Sequence, residues 1–182
     1  MGFRKAVYGL IWYHAILIER KKFKSLGWNT AYSFNDSDYQ VCEDQLAQYM
    51  GRYVNDLKDD KFNVSEPVPW EGIRELIGMC NYGGRVTDNN DRILLRVYTN
   101  EIFNDNLIHI DRWRPPGTEL ENYQYIVDES NAKMNIAELY TPDVFYTEIS
   151  GYMHEGPDPT SCFGQHNNAE ISSQIADTTG LL

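Results

Sequence analysis

The stretch Asn81-Tyr-Gly-Gly-Arg-Val-Thr-Asp-Asn-Asn-Asp-Arg-Ile-Leu-Leu95 decides the fold class, because it reads as the end of one helix and the capped start of another. Gly83 and Gly84 can take the left-handed conformation that stops a helix without a Cβ penalty. Thr87 can then cap a new helix whose first turn carries Asp88 and Asp91, where negative charge meets the positive end of the helix dipole. Between the two there is room for a tight reversal and nothing longer. The surrounding chain should therefore be built from packed helices.

Working upstream, the next marked start is Phe34-Asn-Asp-Ser-Asp38. Asn35 suits the N-cap, Asp36 and Asp38 suit the first turn, and Phe34 is placed to staple across the cap onto Tyr39. Tyr39, Cys42, Leu46, Tyr49, Met50 and Tyr53 recur at helical spacing, which predicts a helix ending near Asp56. Earlier still, a helix over Phe3–Phe23 is expected, with Phe3, Ala6, Val7, Leu10, Ile11, His14, Leu17 and Ile18 on one broad stripe. Its last turn is cationic, as the dipole favours, and Gly27 is the stop. Residues 28–33 connect it to the next helix.

Residues 56–67 are charged and aperiodic and read as an exposed loop. Pro69 suits the opening of a short helix, Trp70–Cys80, with Ile73, Leu76, Ile77 and Cys80 on one side. Downstream of the double glycine, a helix over Asp88–Phe103 should bury Ile93, Leu94, Val97, Tyr98 and Ile102. Beyond Asn104 the periodicity weakens. Leu107–Ile110 reads as a short strand, Arg114-Pro-Pro-Gly117 as a turn, Tyr123–Val127 as strand or helix, and Asp143–Tyr152 as a short helix opened by Pro142. The polar tail from Ser172 should fray. The expectation is a mainly α chain: a helical domain of four or more helices over residues 1–112, then a less regular extension over 113–182 that includes short strands.

With 182 residues, 42% of them hydrophobic, the chain can bury a real core. A formal net charge of −11 argues against general binding to nucleic acid or an anionic membrane, which needs concentrated Lys and Arg. The charge is uneven. Residues 1–24 carry six cations against Glu19 alone, which leaves −16 on the remaining 158 residues. The basic first helix should thus lie beside an acidic surface, its own or a partner's. Ala6–Ile18 imitates a signal-peptide core, yet no small-residue cleavage site follows. It is also shorter than the roughly 20 residues a bilayer requires. Cys42, Cys80 and Cys162 are odd in number and far apart, so no disulfide framework is implied.

Motifs that would carry chemistry are scarce in the chain. A phosphate loop would need Gly-Lys-Ser or Gly-Lys-Thr, and Gly83-Gly84 has neither the lysine nor a third glycine. His14, His109, His154 and His166 show no pair at metal-ligand spacing. His14 falls on an apolar helical face, where a hydrogen-bonded core histidine is the plain reading. Asp88-Asn-Asn-Asp91 resembles the start of a calcium loop, but Ile93 stands where the obligatory glycine would be and Thr99 where the bidentate glutamate would be. Cys162 beside His154 or His166 is the one local nucleophile pair, and its proline-rich surroundings argue against it. Arg85, beside the glycine turn, is either pinned by a carboxylate such as Asp88 or Asp91, which would fix the turn, or a solvated surface arginine. No catalytic, cofactor-binding or metal-ligating set is assigned.

Taken together, Tyr13-His-Ala-Ile-Leu-Ile-Glu-Arg20 with Leu26-Gly-Trp-Asn29, Phe34-Asn-Asp-Ser-Asp38, Val68-Pro-Trp70, Asn81-Tyr-Gly-Gly-Arg-Val-Thr-Asp88 and Cys162-Phe-Gly-Gln-His-Asn-Asn-Ala-Glu-Ile171 closely resemble the C-terminal part of dynein heavy chains. The order and spacing agree from residue 3 to 171. The resemblance implies the helical lid of the sixth AAA+ module, running into the start of the C-terminal domain. It also implies a segment that is structural rather than catalytic in a microtubule motor driven by ATP and Mg elsewhere in the ring. The residues that would carry this architecture are His14, Glu19, Arg20, Gly27, Trp28, Asn35, Asp38, Trp70, Gly83, Gly84, Arg85, Asp88 and Asp91. Implied partners are the other AAA+ modules and the C-terminal domain of the same heavy chain, with the microtubule reached only through the whole motor. The setting implied is the cytoplasmic cytoskeleton, and the wording of the last two motifs is nearer to axonemal than to cytoplasmic dyneins. The rival from another class is a stand-alone helical adaptor that binds through its basic first helix, and an enzyme of unseen type is third.

Overall fold

The computed structural model describes residues 2–51, 54–56, 61–62, 67–110, 113, 160–166 and 168–180. All of them belong to one compact unit, Met1–Tyr125 with Thr160–Leu182. The expected turn at 114–117, the element at 123–127 and the helix at 143–152 lie outside the described residues.

Helix α1, Gly2–Glu19, is the central element and packs against α2 (Asp36–Met50), α4 (Asn89–Ile102) and α5 (Asp105–His109). It stops four residues short of the expected end. From Arg20 to Leu26 the chain tightens into a 3-10 segment, kinked at Lys24, whose φ of 49° is left-handed. Its buried set is also broader than one stripe. Ala6, Leu10, Tyr13, Ile16 and Leu17 are buried, while Ile11 is 48% exposed, because neighbours on several sides cover the helix.

Helix α2 starts where the cap predicts and ends at Met50 rather than near Asp56. The expected loop over 56–67 contains part of an antiparallel hairpin, β1 (Val54–Asp56) with β2 (Lys61–Phe62), in register Val54↔Phe62 and Asp56↔Lys61. Helix α3, Trp70–Arg74, continues without a break as a π-type turn over Glu75–Tyr82 and closes with a 3-10 turn at Gly83–Arg85.

The double glycine therefore acts differently from expectation. Gly83 has a right-handed φ of −66°, and the one glycine with positive φ among the described residues is Gly164. The helix winds out through wider and then tighter turns instead of stopping at a left-handed cap. Asp88, not Thr87, is the N-cap of α4, its carboxylate accepting from the N–H groups of Asn90 and Asp91. The face of α4 is rotated as well. Asp91, Leu95, Tyr98, Thr99 and Ile102 are buried, whereas Ile93 is 62% and Val97 43% exposed.

Leu107–Ile110 is not a strand: α5 runs Asp105–His109, capped by Asn104 and closed at its other end by Lys5. The Lys5 ammonium donates to the carbonyls of Ile108 (2.9 Å) and Ile110 (2.8 Å), which matches a cation to a helix C-terminus. The tail is helical too. After a 3-10 turn at Thr160–Phe163, helix α6 spans Asn168–Thr179 and lies against the 3-10 segment after α1. Tyr13, Tyr82 and Phe103 are the largest fully buried side chains, and Tyr13 meets both of the others edge-on.

Candidate functional site

Two buried charged side chains organise the end of the molecule where α1, α4 and the 160–180 segment meet. Arg20 opens the 3-10 turn and is 5% exposed. Its Nε donates to the Gly27 carbonyl (3.0 Å), closing the turn on itself, and its Nη1 donates to the Tyr98 hydroxyl (2.7 Å) and the Phe163 carbonyl. The Tyr98 hydroxyl in turn donates to the same Phe163 carbonyl at 2.6 Å. The guanidinium carbon lies 5.6 Å from both the Trp28 and the Tyr98 ring centroids, so two aromatic faces complete its surroundings. Burial pushes the guanidinium below its usual pKa, opposed by Tyr98 and by the nearby Asp91. A delocalised cation with a forked donor set suits this place better than an ammonium would.

Asp91 is the second node, 4% exposed. It accepts from the backbone N–H of Asn29 (3.1 Å), that of Thr30 (3.3 Å) and the Tyr32 hydroxyl (2.9 Å). Asp88 adds a fourth tie, accepting from the Asn29 side-chain amide at 3.0 Å, while its own N–H donates to the Tyr32 hydroxyl. The connector 28–33 is thus fastened to the first turn of α4. The Asp88 carboxyl is held below the ordinary carboxylate pKa, first by the Asp91 N–H and next by Asn29.

Gly27 and Gly164 make the close approaches possible. A Cβ at Gly27 would sit 1.8 Å from the Arg20 carbonyl oxygen. One at Gly164, whose φ is +64°, would sit 2.6 Å from the Tyr98 hydroxyl. Trp28 is buried between Arg20 and the rings of Tyr32 and Phe34, and its indole N–H donates to the Leu17 carbonyl.

The other motif residues serve separate joints. Asn35 and Asp38 form a reciprocal capping box at the start of α2. Phe34 meets Trp28, Tyr32 and Tyr82. Arg85 pairs with Asp38 at 2.9 Å and donates to the Ser33 carbonyl, so its carboxylate is neither Asp88 nor Asp91. His14 shares a 2.7 Å hydrogen bond with the Tyr82 hydroxyl, and burial lowers its pKa against the pull of Asp36 and Asp38. Trp70 donates its indole N–H to Asp105 at 2.6 Å. Glu19 pairs with Lys22 at the surface. Gly83 is buried and Gly84 exposed with open space around it.

Of the thirteen motif residues, the structure gathers Arg20, Gly27, Trp28, Asp88 and Asp91 around the buried clamp, joins Asn35, Asp38 and Arg85 at the start of α2, and leaves the other five apart. Sequence reasoning missed Tyr98 as a polar partner, Tyr32, Lys5, Gly164 and the Phe163 carbonyl. The Phe163-Gly164 pair lies within the motif at residues 162–171, but nothing local says whose hydroxyl it meets. Among the described residues, no three His, Cys, Asp or Glu side chains group as a metal site would, and no helix is long and apolar enough to cross a membrane. Chemically the arrangement is a clamp: it holds segments distant in sequence at fixed relative positions.

Comparison with known proteins gives a consistent picture. The sequence profile of the family described as dynein heavy chain AAA lid domain matches residues 3–169. Human dynein axonemal heavy chain 2 is 37% identical over 179 residues, covering 98% of this chain and 3% of the relative. The dynein-1-beta heavy chain of the flagellar inner arm I1 complex from Chlamydomonas reinhardtii is 34% identical over 181 residues, 99% of this chain and 3% of the relative. Human dynein axonemal heavy chain 12 is 30% identical over 185 residues, 100% of this chain and 5% of the relative. The chain thus spans a few per cent of the length of the curated relatives it matches.

Proposed function

This chain belongs to the dynein heavy chain AAA lid family, and from that premise we propose that it is a non-catalytic, load-transmitting segment of an ATP-driven, minus-end-directed microtubule motor. Residues 1–112 are the lid of the sixth AAA+ module and 113–182 lead into the C-terminal domain. The partners are the neighbouring modules and C-terminal domain of the same heavy chain. Similarity to axonemal heavy chains supports a place in the cilium or flagellum.

The observation that carries the mechanical reading is the Arg20 clamp. One side chain reaches the turn after α1, the third turn of α4 and the backbone at residue 163. A lid that relays motion between neighbours must move as one body, and a buried, multiply bonded joint resists the internal slippage that would absorb the stroke.

The adaptor reading loses ground on the same residues. Of the six cations in residues 1–24, Lys5 and Arg20 are buried, Lys22 pairs with Glu19 and Lys24 with Asp177. The partner of Lys24, Asp177, lies on the chain's own α6.

Two measurements test the proposal. Blotting the source cells with an antibody to this chain should show a polypeptide of several hundred kilodaltons, whereas a band near 21 kDa would sink the motor reading. In the full-length motor, Arg20→Lys should slow microtubule gliding more than it slows basal ATP turnover. Equal slowing of both would remove the coupling role.

A further inference from the structure

We propose that the groove between α1 and α2 is the seat of a cationic amphipathic helix contributed by another part of the same polypeptide. This deepens the reading above and rests on it, since it requires that the chain be one segment of a heavy chain.

The groove is open to solvent along its length and offers about 670 Å³. Ile11, Ala15 and Ile18 of α1 and Tyr39 of α2 supply its apolar lining, and Ile11 remains 48% exposed. An isoleucine half in water, in the middle of a helix otherwise covered on several sides, is where a missing neighbour would sit. The charges around the apolar strip have one sign. Glu19, Asp36 and Glu43 line the groove, no Lys or Arg does so among the described residues, and only Glu19 has a basic partner, Lys22.

That pattern selects the occupant. Two adjacent helices present ridges and a groove that a third helix fills by ridge-into-groove packing. Helix-in-groove recognition uses apolar anchors three or four residues apart, here flanked by Lys or Arg to meet the carboxylates. His14 also lines the groove, but its Nδ1 is held by the Tyr82 hydroxyl and its Nε2 is buried, so the occupant is chosen by the carboxylates and the apolar strip. A segment of the same polypeptide placed where it can span to the groove binds it intramolecularly, which favours it over a free protein of equal intrinsic affinity.

The test is site-specific photo-cross-linking in the full-length heavy chain. Benzoylphenylalanine replaces Gln40, an exposed residue lining the groove, and the cross-linked peptides are sequenced by mass spectrometry. The expected product is an intramolecular cross-link to a helix that carries Lys or Arg around apolar residues three or four apart. Its yield should fall about tenfold in the Ile11→Glu, Glu43→Lys double variant, since one change charges the apolar lining and the other reverses a rim charge. Circular dichroism of that variant checks that the fold is kept. Ile11→Ala, which keeps the charge pattern, should lower the yield less. A cross-link to an acidic or uncharged segment, a cross-link to a separate protein, or a yield no higher than that of the same probe at exposed Gln48 would overturn the proposal. The motor reading survives any of those outcomes and fails separately, on the size of the native polypeptide.

Discussion

Arg20 and Tyr98 stand 78 positions apart, yet the Tyr98 hydroxyl accepts from the Arg20 guanidinium at 2.7 Å and donates to the Phe163 carbonyl that Arg20 also reaches. The triangle joins the turn after α1, helix α4 and the chain's return at residue 163. Removing any corner leaves polar groups buried without full satisfaction, which is costlier than losing an exposed hydrogen bond.

Tyr98→Phe removes the hydroxyl and little else. Stability should fall by about 2 kcal/mol, with the melting midpoint lower by roughly 4–8 °C. Chemical and thermal denaturation of the full chain measure this. A change below about 0.5 kcal/mol would mean that water replaces the hydroxyl without cost.

Three glycine-to-alanine changes should rank in a fixed order. Gly27→Ala forces a Cβ against the Arg20 carbonyl and should cost about 3 kcal/mol or more. Gly164→Ala strains a left-handed residue by about 1–2 kcal/mol and also pushes the Tyr98 hydroxyl, so hydrogen exchange in α6 should quicken. Gly84→Ala meets nothing within 4 Å at a right-handed φ and should be neutral or stabilising by about 0.5 kcal/mol. Destabilisation at Gly84 equal to that at Gly27 would contradict the packing described.

Acidification should weaken the fold in two separate windows. Burial holds His14 below its usual value of 6.5, so the unfolded chain binds its proton first. Stability is full above 6.5 and declines as pH falls through the lowered folded value. Asp88, whose carboxylate accepts from the Asp91 and Asn90 N–H groups and from Asn29, has a folded value below 3.8. Its share persists to more acid pH and is lost as pH falls through that lower value. His14→Gln should flatten the upper part of the stability profile and Asp88→Asn the lower. A single variant that flattens both would show that the two groups are coupled.

The Arg85–Asp38 pair can be separated from the cap that Asp38 also serves. Arg85 is 46% exposed at its side chain, so a double-mutant cycle should return a coupling of about 0.5 kcal/mol. Asp38→Ala alone should cost about 1 kcal/mol more than Arg85→Ala, because it also breaks the capping box with Asn35. Equal costs would assign Asp38 to the ion pair alone.

Thiol labelling should distinguish two cysteines. Cys80 is exposed, while Cys42 is fully buried and its thiol is pushed up to about 11 by that burial. At pH 8, iodoacetamide should modify Cys80 within minutes and Cys42 only as the protein unfolds, as read by peptide mass spectrometry. Equal rates would place α2 in frequent local opening.

What could be read along the chain was local. Asn35 is a cap because its carboxamide reaches N–H groups two and three residues ahead, and that is legible from spacing alone. Helix existence was legible for the same reason, while helix ends and faces were less so. Leu107–Ile110 looks like a strand by composition, but Asn104 caps a short helix there and Lys5, about a hundred residues earlier, closes it. Hydrophobicity alone puts Ile93 and Val97 in the core, yet α4 turns instead on Asp91, whose three hydrogen bonds come from residues 29–32. A polar residue on the buried side cannot be told from an exposed one until its partners are placed.

Caps and periodicity, which are properties of neighbours along the chain, were enough for the helices, and the order of the motifs was enough for the family resemblance. That Arg20 is a buried joint, that Arg85 answers Asp38 and that Gly164 leaves room for the Tyr98 hydroxyl are visible in the folded chain alone. These depend on distances between segments far apart in sequence. Such distances come from the packing of the whole core around α1, which no window of residues contains.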